Sequence, residues 1–197
     1  MPANALVKYL LWDFGDTLAT WRGGNPEWTA AYAAIDRELG TSVAWHMGSI
    51  ETEEIVARLA TLLHQTEAEV LHHLMRSELF ELFPFTYEFF AAQHLPQSIV
   101  TVNPSLFREM AGALELDLHC DTIVISGEER SIDKGKLCEV ALRRVGVDCD
   151  NDRVLLIDNK QSNLDAWIAR GGLGYLYAGD KKFQEDTVNG IDGLITK

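Results

Sequence analysis

The chain is short of positive charge. Seventeen lysines and arginines stand against thirty aspartates and glutamates, a formal net charge of −13 over 197 residues. A surface of that sign repels phosphate backbones and anionic lipid, so neither nucleic acid nor a membrane is an expected partner. An anionic small molecule would have to be drawn in by a local cation, not by the global field. Long apolar runs are missing as well: none approaches the roughly 20 residues of a membrane span, and no Lys/Arg-flanked apolar segment opens the chain. A cytoplasmic location is the expectation. Cysteine is scarce. Cys120, Cys138 and Cys149 show no close paired spacing, which favours reduced thiols over a disulfide or a zinc site. Internal repeats and low-complexity stretches are also lacking.

What is present suits one globular core with room for a small inserted module, since 47% of residues are apolar and 24% charged. Val7 to Trp12 reads as a short buried strand. From Glu27 to His94 the pattern is helical and poor in strands. Glu27–Leu39 carries helix-spaced apolar residues and stops at Gly40, and Gly23-Gly24-Asn25-Pro26 before it reads as a loop. Ser49-Ile50-Glu51-Thr52 offers N-cap chemistry for a second helix, and Thr66 with Glu69 forms a capping-box pattern for a third. Pro84 suits the first turn of an aromatic-rich helix.

After Gln97 strands and helices alternate. Strands are expected at 98–102, 122–125, 153–157 and 173–177, with helices at 104–116, 134–145 and 161–170 between them. This pitch implies βα units and right-handed crossovers around a parallel sheet. The fold class is therefore α/β, a doubly wound parallel sheet of Rossmann-like type with an inserted α-helical module. The tail from Gly190 to Lys197 could add an edge strand.

In such sheets, ligands bind where the strands' carboxyl ends meet the crevice. One predicted strand ends at Asp13, a second at Thr101-Val102-Asn103 and a third at Asp158-Asn159. Lys134 opens a helix, where the macrodipole disfavours a cation, so a ligand could be the reason for it. Two carboxylates, a lysine and neutral polar groups at one sheet edge suit Mg²⁺-assisted phosphoryl transfer. Each feature also has a structural reading: Asp13 and Asp158 as turn formers, Lys134 as a solvated helix start, Asn103-Pro104 as a helix start. His72 and His73 cannot share one helix face, so they are not expected to ligate together. The aromatic run from Phe80 to Phe90 is expected to pack within the module and against the core, with a fraction lining a substrate vestibule.

Together these segments resemble the haloacid dehalogenase (HAD) superfamily in the order of its four motifs. Asp13-Phe14-Gly15-Asp16-Thr17-Leu18 is similar to the aspartyl-nucleophile motif Asp-x-Asp-Gly-Thr, with the second Asp and the Gly exchanged. Ile99–Asn103 resembles the second motif, with Val102 at the Ser/Thr position and Thr101 fitting after a one-residue shift. Lys134-Gly135 is similar to a variant of the third, and Leu155–Asn159 with Asn163 to the fourth. The resemblance implies a Rossmann-like core over residues 1–20 and 96–197 and a helical cap over 21–95. It implies a hydrolase, a phosphatase of a small phosphorylated metabolite that forms an aspartyl-phosphate on Asp13. Mg²⁺ would be held by Asp13, the Gly15 carbonyl, Asp158 and Asn159. Lys134 would neutralise charge, Thr101 or Asn103 would bind phosphate, and Arg22 beyond the first motif would contact the anion from the cap side.

The exchange at Gly15 removes the family's acid–base carboxylate, a group that typically contributes about 10²–10⁴-fold. Asp16 is the nearest replacement. Asn159 stands where a second carboxylate is usual, which implies weaker Mg²⁺ binding. Phosphonate cleavage is excluded, because it needs a cap lysine and none occurs between Lys8 and Lys134. Two alternatives stay open: a degenerate HAD-fold protein with a binding or regulatory role, and carbon–halogen hydrolysis using Asp13. The sequence carries no signal for oligomeric state.

Overall fold

The computed structural model describes residues 7–22, 25–147 and 153–194. Gly23, Gly24 and Cys149 lie outside this set, while Cys120 and Cys138 are free thiols. Strand β1 (Tyr9–Trp12) sits at the centre of a parallel sheet ordered β5-β4-β1-β6-β7. Its neighbours are β4 (Gln97–Thr101) and β6 (Val154–Asp158), and the outer strands are β5 (Thr122–Ile125) and β7 (Leu173–Leu176). Every residue of β1, β4 and β6 is buried. This is why β1 and β6 read as near-continuous apolar runs: both faces of the sheet are covered, and in β4 the buried Gln97 and Ser98 are hydrogen-bonded instead, to Phe90 O and the Tyr9 hydroxyl. One face carries Trp12, Phe14, Phe107 and Phe183, the other Leu11, Val100, Leu137 and Trp167. The α/β, doubly wound class expected from the alternation is the observed one.

The strand order reverses at β1. The chain builds outward through β4 and β5, then returns across β1 to lay down β6 and β7. Adjacent strand ends therefore splay between β1 and β6, and a crevice opens at their carboxyl edge. The helices beside the sheet include α6 (Phe107–Ala113), α7 (Ser126–Glu129), α8 (Lys134–Val145), α9 (Gln161–Ile168) and α10 (Asp180–Asp186). Helix α6 is shorter than the 104–116 expectation, because residues 104–106 form a turn in which Phe107 N–H donates to Pro104 O at 3.0 Å. The tail forms 3₁₀ turns at Thr187–Asn189 and Ile191–Leu194, not a strand, over its described part. No helix among the described residues is long and apolar enough to cross a membrane.

Four helices form the inserted module: α1 (Pro26–Leu39), α2 (Thr41–His46), α3 (Thr52–Leu63) and α4 (Glu67–Leu74). Asn25 caps α1 by accepting Trp28 N–H at 3.0 Å, and Gly40 ends it with φ +61°. The Thr66–Glu69 capping box is present at α4. Trp28, Ile35, Trp45, Ile55, Leu59 and Val70 bury a separate apolar cluster.

A short ribbon, β2 (Ala19–Trp21) with β3 (Phe80–Leu82), joins module to core. Three-residue strands are too short to show a period, so the sequence gives no warning of β3 inside a helical stretch. The aromatic segment after it belongs mainly to the sheet side. Helix α5 (Pro84–Ala91) puts Phe90 in the cluster around Trp12, with the ring centroids 5.6 Å apart. A second tether lies at the end of α2. There a Cβ on Gly48 (φ +66°) would fall 2.1 Å from Gly127 O, and Ser126 Oγ donates to His46 O.

Gly135 allows α8 and α9 to approach closely, because a Cβ there would lie 2.4 Å from Ala166 O. Replacing it by alanine forces the two helices apart next to the start of α8. Gly135→Ala should cost about 1–3 kcal/mol, the range for overpacking a core, read as a lower urea midpoint with unchanged slope.

Candidate active site

The Lys134 ammonium is fully buried at the first turn of α8 and donates to Asp13 Oδ1 at 2.6 Å and Val100 O at 2.6 Å. Asp158 Oδ2 lies 3.1 Å away. One cation thus ties together the carboxyl ends of β1, β4 and β6. The start of α8 is fixed by Asp133, whose carboxylate accepts Lys136 N–H at 3.0 Å and offsets the unfavourable lysine at a helix N-terminus. Burial works against the Lys134 charge, but Asp13 and Asp158 outweigh it and hold its pKa above the ordinary lysine value. Burial pushes the Asp13 carboxyl above the usual range; Lys134 pulls it down and Asp158 adds to the rise.

Asp158 is positioned by its own network. Its Oδ1 accepts Lys160 N–H at 2.8 Å, and the Asn163 amide straddles both oxygens at 3.0 Å. At the end of β4, Asn103 Nδ2 donates to the buried Thr101 hydroxyl at 2.7 Å, so the two phosphate-binding candidates form one unit. Val102 instead packs toward the aliphatic cluster on the other side.

The loop after Asp13 is tight: the N–H groups of Thr17, Leu18 and Ala19 all converge on Phe14 O. Asp16 sits in the left-handed region at φ 57°, its N–H donates to Ala19 O, and its Oδ1 accepts the Thr20 hydroxyl at 2.9 Å. That carboxylate is exposed and held on the rim. Gly15 has no positive φ, and a Cβ built on it would meet nothing within 4 Å. The position two residues past Asp13 is open to a side chain that the sequence does not supply. Arg22 is not brought to this edge: its guanidinium pairs with Glu81, and its N–H donates to Leu79 O, as the ribbon geometry dictates.

Among the described residues, no group of three or more His, Cys, Asp or Glu side chains could hold a metal ion. A hard cation here would rely on two carboxylates, Asp13 and Asp158, with neutral oxygens from the Gly15 carbonyl and Asn159. The Asn159 Oδ1 atom is buried without a hydrogen-bond partner, which fits that demand.

A cavity of about 560 Å³ opens beside this edge, between α1, α2 and α4 and the loops after β1 and β4. Gly15, Asp16 and Asn103 line its floor, and Trp28, Trp45 and Phe107 stand among its walls. Three buried side-chain polar atoms lack a partner among the described residues: Thr17 Oγ1, Asn159 Oδ1 and His73 Nε2. All three flank the edge or the cavity. Of the aromatic run expected to reach a substrate vestibule, Phe80 lines the cavity, whereas Trp28, Trp45 and Phe107 were not expected there, since aromatics spread over separate helices carry no spacing signal.

Neither protein-family models nor curated protein sequences give a match to the chain. Solved structures do. A HAD family enzyme from Bacteroides thetaiotaomicron, in complex with magnesium and inorganic phosphate, is similar with a TM-score of 0.67 and 10% identity, over 88% of this chain and 95% of that one. A predicted HAD-like family hydrolase from Porphyromonas gingivalis gives a TM-score of 0.70 and 15% identity over 98% and 99%. The L-2-haloacid dehalogenase of Xanthobacter autotrophicus gives 0.61 and 14% over 94% and 84%. At these identities the likeness is one of fold: the chain has the fold of HAD-like hydrolases.

Removing the buried cation should leave two carboxylates facing each other out of water. Lys134→Met should destabilise the protein by about 3–5 kcal/mol, the cost of breaking a buried ion pair from one side, measured by denaturant unfolding. Lys134→Arg should not restore it, because the guanidinium is too large for the space between three strand ends.

Proposed function

We propose that the protein is a Mg²⁺-dependent phosphatase of a small phosphorylated metabolite, working through an aspartyl-phosphate on Asp13. The observation that carries this reading is the buried Lys134 between Asp13 and Asp158 at the point where the strand order reverses. On this reading residues 1–20 and 96–197 are the catalytic core, residues 21–95 are the cap, and the protein is cytoplasmic.

Asp13 is the nucleophile. Its free carboxylate oxygen attacks phosphorus, the bond from phosphorus to the ester oxygen breaks, and water later cleaves the acyl phosphate. Lys134 holds the other Asp13 oxygen at 2.6 Å, which orients the carboxylate and screens its charge from the approaching phosphoryl group. Thr101 and Asn103 offer a hydroxyl and an amide to the phosphoryl oxygens from the end of β4. Bound Mg²⁺ would neutralise negative charge on the phosphoryl group, held by Asp13, Asp158, the Gly15 carbonyl and Asn159. Arg22, occupied by Glu81, has no part in this scheme.

The leaving oxygen needs a proton, and Gly15 cannot give one. Asp16 is the nearest carboxylic acid, but its hydrogen bond with Thr20 holds it on the rim. This supports a second reading, in which the site binds phosphate or Mg²⁺ and turns over slowly or not at all.

Three measurements separate these readings. Mg²⁺-dependent release of phosphate from p-nitrophenyl phosphate should be abolished in Asp13→Asn, and a rate insensitive to that change would overturn the nucleophile assignment. Gly15→Asp places the missing carboxyl in open space and should raise turnover toward the roughly 10²–10⁴-fold that a general acid contributes. An unchanged rate would show that another group already supplies the proton. Asn159→Asp adds a carboxylate to the cation site and should lower the Mg²⁺ concentration for half-maximal activity several-fold, or for half-maximal thermal stabilisation if turnover is absent.

A further inference from the structure

We infer that the cavity above Gly15 and Asn103 holds an uncharged, ring-bearing organic group, which is the leaving alcohol of the phosphomonoester. This rests on the phosphatase reading and narrows it to a substrate class.

The walls point to a ring. Trp28 and Trp45 face the space from α1 and α2, and Phe107 closes it from the core side. Trp28 and Trp45 are almost wholly buried, so their ring faces are set by the module's own apolar cluster. At about 560 Å³ the space is far larger than a two- or three-carbon phosphate ester needs, and it lies within the range of ordinary small-molecule sites. Planar apolar groups gain most from such walls, by area and by offset stacking.

The charges disfavour a second anion. Asp16 and Asp36 are among the lining residues, and no lysine or arginine is among those described. Burial, then the Lys160 charge, holds His46 below the ordinary histidine pKa, and burial, then Arg76, does the same for His73. This disfavours the charged form of both imidazoles. Lys160, in the loop after β6, is not among the lining residues although its charge reaches His46, and Arg76 is paired with Glu78. A carboxylate or second phosphate on the leaving group would lie beside Asp16 and Asp36, and the lining offers it no lysine or arginine among the described residues. Sugar bisphosphates and phospho-carboxylic acids are therefore disfavoured.

One wall is reinforced by stacking: His73 lies on Trp28 with the ring centroids 3.8 Å apart, which holds that indole in place for a planar ligand.

The test uses the intact protein and two readouts. Binding of 2-naphthol is followed by tryptophan fluorescence, and phosphate release is measured for 2-naphthyl phosphate against phosphoglycolate with Mg²⁺. Saturable naphthol binding, with kcat/KM for the naphthyl ester at least tenfold higher, is the expected result. Trp28→Leu should weaken naphthol binding about tenfold, with its melting temperature checked for loss of fold. Because that residue is buried, Ala33→Arg on the exposed side of the lining is the second variant. It should weaken naphthol binding and shift preference toward phosphoglycolate without unfolding the module. Naphthol binding with no hydrolysis of either ester would keep the cavity assignment and overturn the phosphatase reading. Hydrolysis of phosphoglycolate as fast as the naphthyl ester, with no naphthol binding, would overturn the inference and leave that reading standing. No binding and no hydrolysis would overturn both.

Discussion

The site depends on one buried cation. Lys134 reaches from the first turn of α8 to the ends of three parallel strands and finds a carboxylate on β1, a carbonyl on β4 and a carboxylate on β6. A lone ammonium at that depth would be prohibitively costly, and so would two facing carboxylates; together they are tolerable because each supplies the counter-charge the other lacks. The geometry has little slack. It requires β1 to lie between β4 and β6, α8 to begin at Lys134, and Gly135 to let α9 close over the turn.

The helical module stands over this edge, held by the β2–β3 ribbon on one side and by the Gly48–Gly127 approach on the other. Between those tethers lies an aromatic cavity whose floor is the loop that follows Asp13. Charge and shape are divided there. The cation and hydrogen-bond donors cluster at the strand ends, while the space beyond them is mainly apolar and has no lysine or arginine among its described lining residues. An anionic head with an uncharged body fits such a division. The three unsatisfied buried atoms lie around the same region, which marks where the protein leaves room for something other than itself.

Some of this was legible in the residues and some was not. Asp13 and Asp158 follow apolar runs too short for a helix, and a buried parallel strand that ends in a carboxylate delivers it to the sheet edge. Lys134 was legible because a lysine at a helix start contradicts the macrodipole. The register at β4 was harder: Thr101 and Asn103, not Val102, share a hydrogen bond at its end, and strand alternation decides that. Arg22 shows the limit most clearly. Its proximity to the first motif suggested a ligand contact, yet β2 pairs with a strand sixty residues away that supplies Glu81. A three-residue strand has no period to read, so its partner was invisible.

The sequence by itself determined the α/β order, the strand-end carboxylates and the absence of one at Gly15, because these are properties of local runs and single positions. Only the tertiary structure decided that Lys134 is wholly buried between its partners and that Gly15 faces open space. It also decided that Asp16 is turned to Thr20 and that aromatic residues from separate helices and strands close around one cavity. Those outcomes arise from the packing of residues distant in sequence, and no pattern along the chain encodes the distances between them.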